Sequence, residues 1–168
     1  MFGQQIETWQ PFFSTVALAA SGLMGLIFLS LSLKLDVIRK PANEGVRQIA
    51  WQTFVNFFFL IMFSFVFLVP EQTKLGIALP LYIISSVAIS ITVARAIRSI
   101  TSGIPFLKSI QEFVPSLIAY IGMVIIVSFV LADYIQSLIW LLPVVTVLLA
   151  VAVRNAWELL VVEHTKTG

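Results

Sequence analysis

Residues 75–94, LGIALPLYIISSVAISITVA, run for 20 positions without a charged side chain, between Lys74 and Arg95. A helix rises about 1.5 Å per residue, so a run of this length matches the roughly 30 Å hydrocarbon core of a bilayer. Four further uncharged runs are as long or longer: 8–33, 48–70, 113–132 and 134–153. Lipid gives an open strand edge no hydrogen-bond partner, and none of the runs shows the period-two alternation of a membrane barrel. Helices are the spanning form that remains. The sequence therefore predicts an all-α polytopic bundle, a single transmembrane domain over residues 1–168. Its five spans are expected near 12–34, 50–69, 77–99, 114–132 and 138–160.

Composition points the same way. Hydrophobic residues make up 60% of the chain and charged residues 11%, against about a quarter charged in soluble proteins, too few to cover a surface facing water. Cysteine is absent, which excludes disulfides, thiolate metal sites and cysteine nucleophiles. The net charge of +2 does not argue for nucleic acid, because the basic residues fall between apolar spans, where lipid phosphates account for them. The first residues, MFGQQIETWQPFF, lack the basic n-region of a signal peptide, so the segment is expected to be retained as a span.

Orientation is read from lysine and arginine. Lys34, Arg39, Lys40 and Arg47 lie between spans one and two, Arg95, Arg98 and Lys108 between spans three and four, and Arg154 and Lys166 after span five. Only Lys74 lies in the alternate connections. The positive-inside rule then puts the N-terminus outside and the C-terminus in the cytoplasm. Tryptophans favour the headgroup level, and Trp9 and Trp140 fall at the expected outer ends, Trp51 and Trp157 at the inner ends.

The connections carry some pattern. Residues 41–50, PANEGVRQIA, place Val46, Ile49 and Ala50 on one helical face, so the second helix should begin before the membrane. Residues 105–113, PFLKSIQEF, set Phe106, Ile110 and Phe113 apart from Lys108, Gln111 and Glu112, as in a short interfacial helix between spans three and four. Pro80 and Pro115 are expected near helix starts, and Pro143 predicts a kink or late start in span five. No internal repeat links the spans.

Candidate residues are few. Ala17, Ser21 and Gly25, with Gly22 beside them, give span one a flat face, and Ser86, Ser90 and Ala94 do so in span three. Such stripes let helices approach closely in lipid, within the chain, between subunits or around a pore. Arg95 and Arg98 are read either as snorkelling to lipid phosphates or as an anion-attracting vestibule or docking site. Asn56, the most polar side chain inside a span, and Asn155, in the sequence RNAWE, are candidates for interhelical hydrogen bonds. Arg154 and Glu158 are spaced to pair, and Asp36 sits in a charge cluster with Lys34 and Arg39. His164 has no companion. No ionisable residue lies near the middle of a span, which disfavours ion-coupled transport, and no base accompanies the serines, which disfavours an enzyme. No cofactor or metal is expected.

The segments SGLMGLIFLSLSLKLDVI (21–38), FLVPEQ (67–72) and RNAWELLV (154–161) resemble a family of small bacterial polytopic membrane proteins, in which a first span GLxGLxFxxLSL and a last span ending near RNAWxLLV recur. The resemblance implies a bacterial inner-membrane location and the same helical bundle. It implies no activity, and no residue role comes with it.

Three functions fit this reading. The first is a homo-oligomeric channel for small ions, with arginine rings favouring anions and Ser86, Ser90 and Thr92 lining the path. The second is an accessory or regulatory subunit of another membrane protein. The third is an uncoupled small-solute carrier built on Asn56, Tyr120 and Ser128. The expected partners are the lipid bilayer and either further copies or another membrane protein, without nucleic acid.

Overall fold

A computed structural model describes residues 2–32, 44–101 and 106–161. These residues form α1 (Phe2–Ser32), α2 (Glu44–Leu68), α3 (Lys74–Thr101), α4 (Phe106–Leu131) and α5 (Leu141–Val161), with a 3-10 helix over Ile135–Trp140 leading into α5. Among the described residues there is no strand. Five helical segments, Gln5–Ser32, Arg47–Leu68, Lys74–Thr101, Phe113–Leu131 and Ile135–Trp157, are long and apolar enough to cross a membrane. The chain is a multi-pass membrane protein.

The helices run past the uncharged stretches because lipid exposure and helix length have different limits. A charge ends the part that can sit in hydrocarbon but does not end a helix. α1 thus starts at Phe2 and contains Pro11. α3 starts at Lys74 behind Thr73, whose hydroxyl accepts from the Gly76 N–H at 3.0 Å and whose carbonyl accepts from the Ile77 N–H at 3.1 Å. Pro80 is therefore seven residues into its helix.

Residues 106–113, expected as a separate interfacial helix, are instead the first turns of α4, which continues through Pro115 to Leu131. The carbonyl deprived of its donor by Pro115 is that of Gln111, in the polar first turns, where it is least costly. Pro143 is the third residue of α5, so the α-helix of that span starts late, after the 3-10 turn.

α4 ends on Asp133, which has φ 69°. The Asp133 N–H donates to the Val130 carbonyl at 3.2 Å and the Tyr134 N–H to the Phe129 carbonyl at 3.0 Å. This is the paired bonding of a Schellman cap, with Asp in the left-handed position that glycine usually takes. The Asp133 carboxylate also pairs with the Lys74 ammonium, tying the end of α4 to the start of α3.

Adjacent helices are antiparallel, as cross-helix pairs show. Phe13 near the start of α1 stacks on Phe67 at the end of α2, with centroids 3.9 Å apart and planes 4° from parallel. Tyr82 early in α3 bonds Ser128 late in α4. A Cβ on Gly122 of α4 would lie 3.3 Å from Val144 Cγ2 of α5, so the helices cross closely there and a larger residue would press on the valine.

Helices α2, α3, α4 and α5 surround one axis, each packed on the next, while α2 and α4 face each other across it and touch little. α1 packs on the outside of α2. α2 is consequently the most enclosed helix, with 61% of its spanning window buried against 28% in α1. The buried faces repeat every seven residues: Ala78, Ser85, Thr92 and Ser99 with Leu81 and Ala88 in α3, and Leu141, Leu148 and Asn155 with Val145 and Ala152 in α5. This is the spacing of left-handed helix packing in membranes.

Candidate functional site

The buried polar side chains are not spread evenly along the axis. Among the described residues, Gln52, Thr53, Asn56, Thr92, Ser99, Ser116 and Asn155 lie in the half where α2 and α4 begin and α3 and α5 end, and only the hydroxyls of Ser64 and Ser85 lie in the other. The opposite half is filled by Leu60, Phe63, Leu81, Met123, Val127 and Leu148, among others. Arg47, Arg95, Arg98 and Arg154 belong to the polar half's end and Lys74 to the other, so the two halves are here called the basic end and the Lys74 end.

At the border between them is a network centred on Asn56. Its Oδ1 accepts from Gln52 Nε2 at 3.1 Å and from the Tyr120 hydroxyl at 2.9 Å, and its Nδ2 donates to Ser116 Oγ at 2.9 Å. All four side chains are fully buried. Helix geometry explains the convergence: Gln52 and Asn56 are one turn apart on α2, as are Ser116 and Tyr120 on α4, so each pair shares a face. The Tyr120 ring then packs edge-on against Phe59, with centroids 5.7 Å apart at 71°, and beside Phe63 at 6.3 Å.

The network bonds Asn56, as the sequence suggested, but to a different set than expected. Tyr120 is present, whereas Ser128 is elsewhere: its hydroxyl donates to the Val124 carbonyl at 2.8 Å and meets Tyr82. Gln52 and Ser116 take its place. For Gln52 the signal was available as the i, i+4 spacing of Gln48, Gln52 and Asn56, but three separate amides in an apolar run do not say which face turns inward.

Several buried polar atoms in this half lack a partner within the chain: Gln48 Oε1, Gln52 Oε1, Thr92 Oγ1 and Asn155 Nδ2. Asn155 is fully buried, and its Oδ1 receives only a long bond from Arg154 Nη2 at 3.4 Å. The interhelical bond expected of Asn155 is therefore not made by its amide nitrogen.

Arg95 and Arg98 differ in their surroundings. The Arg95 guanidinium lies over the Trp51 ring at 4.4 Å from its centroid, joining the end of α3 to the start of α2. Arg98, three residues on, is exposed. Residues three apart are neighbours on a helix surface, about 60° apart around its axis, so the two side chains leave α3 side by side although their surroundings differ.

The small-residue stripes also behave differently from an internal packing surface. Ala17 is buried, but Ser21 and Gly25 are exposed, as are Ser86, Ser90 and Ala94. α1 docks instead through Ile6, Phe13, Val16, Ala17, Ala20 and Ile27, where Phe13 finds Phe67. α3 docks through the neighbouring small face of Ala78, Ser85, Ala88 and Thr92. A Cβ on Gly22 or Gly25 would meet nothing within 4 Å. Exposed hydroxyls are mostly satisfied by their own helix: Thr15, Ser90, Ser128 and Thr146 each donate to the carbonyl four residues back at 2.8–2.9 Å.

The Asp36 cluster with Lys34 and Arg39, the side chains of Lys108, Glu112 and Glu158, and His164 lie outside the described residues. The chain matches no protein-family model, no curated protein and no solved structure.

Proposed function

We propose that this chain is an accessory subunit of a membrane assembly, which binds a second copy or another membrane protein through the outer face of α1. The observation that carries the reading is the exposed patch at Ser21, Gly22 and Gly25, open where a Cβ would stand, on a helix that docks only through its opposite side onto α2. The hydrophobic effect does not drive helices together in lipid, whereas small faces permitting close backbone approach do.

The assembly is placed in the bacterial inner membrane on the resemblance of residues 21–38, 67–72 and 154–161. The proposed orientation is N-terminus out and C-terminus in, because five of the six basic residues in the described helices share one end. The first turns of α4, with Ile110 exposed, would then lie at the cytoplasmic interface.

A second reading, conduction between copies, is favoured by one feature. Ser86, Ser90, Ala94 and Arg98 recur every four residues on the exposed face of α3, so copies meeting there would set hydroxyls above a ring of arginines, which favours anions. A path through a single chain finds no support, since Phe59, Phe63 and Tyr120 fill the axis.

Purification in mild detergent, followed by flux assays in liposomes, separates the readings. A recurrent partner or defined dimer without flux supports the accessory subunit. A closed ring that passes chloride supports conduction, and a solitary inactive chain contradicts both.

A further inference from the structure

Of the five buried side-chain atoms without a partner among the described residues, four lie in the basic-end half and internal packing leaves them unexplained; the fifth is the single hydroxyl of Ser85, near the middle of α3. Interhelical bonding accounts for Asn56, Ser116 and Tyr120, whose polar atoms are used among themselves. It does not account for Gln52, which spends its amide hydrogens on Asn56 and leaves Oε1 buried without a donor. Gln48, one turn closer to the basic end and only half-buried, leaves its Oε1 in the same condition. From two other helices, Thr92 Oγ1 and Asn155 Nδ2 are equally unpartnered in the same half. At membrane depth lipid satisfies none of them, and the cost of each rises with the apolarity around it.

We infer that the basic-end half of the axis between α2 and α4 is hydrated, holding water as far as the Asn56–Tyr120 bond and dry beyond it. Water is the ligand whose chemistry fits, since it donates to the Gln48 and Gln52 carbonyl oxygens and accepts from the Asn155 amide. No ionised side chain among the described residues is buried there to select an ion instead. Access is from the basic end, where Gln48 is the least enclosed of the amides. The passage stops where Tyr120 closes with Phe59 and Phe63, and beyond this the axis carries Met123, Val127 and Leu148. The result is a one-sided polar vestibule ending near the middle of α2. This holds whether or not α1 binds a partner, because it rests on different residues.

The absence of cysteine makes the test direct. Single variants Gln48→Cys, Gln52→Cys, Asn56→Cys and Phe63→Cys, in liposomes, are treated with a small water-soluble methanethiosulfonate, which attacks only a hydrated thiolate. Residues 48, 52 and 56 should react about tenfold or more faster than 63. Equal slowness at 52, 56 and 63 would show a dry network, and equal speed at 63 would show water crossing the whole bundle. Either overturns the proposal. Should the cysteine variants fail to fold, radiolytic hydroxyl footprinting reads the unaltered protein. Tyr120, fully buried but at the wet boundary, should be oxidised while Met123 and Phe63 beyond it stay unmodified, and an unmodified Tyr120 would contradict the proposal.

Discussion

The Tyr120 hydroxyl donates to the Asn56 carboxamide at 2.9 Å across 64 positions of sequence, joining the two helices that face each other over the bundle axis. Their backbones approach little, and beside the Tyr120 ring against Phe59 and Phe63 this bond and its companion from Asn56 to Ser116 are their polar link.

Removing one member of the network should matter less than removing its centre. Tyr120→Phe deletes a single bond, and interhelical hydrogen bonds in membranes average about 0.6 kcal/mol. Asn56→Leu strands the Gln52 amide and the Tyr120 hydroxyl together, with an expected cost of about 2–3 kcal/mol. Reversible unfolding in mixed micelles measures both. If Asn56→Leu proved no more destabilising than Tyr120→Phe, the shared-acceptor geometry would be contradicted.

The network was only half legible in the sequence. Asn56 stood out because an amide in an apolar run needs a partner, and the five spans followed from charge spacing alone. Ser116 did not stand out, because a serine in lipid can satisfy itself on its own helix, as Ser90 and Ser128 do. The same ambiguity misdirected the small-residue stripes. Ser21, Gly25, Ser86, Ser90 and Ala94 have the right spacing for close packing, but α1 docks where Phe13 meets Phe67, and α3 buries the neighbouring face with Ala88 and Thr92. Helix ends were missed because charge marks the limit of hydrocarbon rather than of hydrogen bonding.

The Trp51–Arg95 stack ties α2 to α3 at the basic end. Trp51→Ala, Arg95→Ala and the double variant should give a coupling of about 0.5–1 kcal/mol, the range for partly exposed cation–π pairs. Additive losses would mean that the guanidinium serves lipid phosphates independently of the indole.

Asp133 combines a left-handed cap with an ion pair to Lys74. Its side chain is 73% exposed, so solvent screening should hold the ion pair to a small contribution. Asp133→Gly should therefore leave the melting temperature nearly unchanged, whereas Asp133→Ala should lower stability by about 1 kcal/mol through backbone strain. Equal losses in the two variants would place the weight on the ion pair.

Phe13 and Leu18 test how α1 docks. Phe13→Ala removes the ring stacked on Phe67 and should destabilise by about 3 kcal/mol, at the low end of buried Phe truncations. Leu18, 77% exposed, should tolerate alanine within about 0.5 kcal/mol. Thermal unfolding followed by tryptophan fluorescence distinguishes the two.

Assembly through α1 is tested most directly by native mass spectrometry of the chain released from lipid nanodiscs, comparing wild type with Gly22→Leu/Gly25→Leu. Neither position touches the chain's own fold, so the variant should melt as wild type does. The account predicts a defined complex for wild type, with itself or a co-purifying membrane protein, and a lone chain for the variant. A wild-type chain that stays alone, or a complex that survives both leucines, would contradict it.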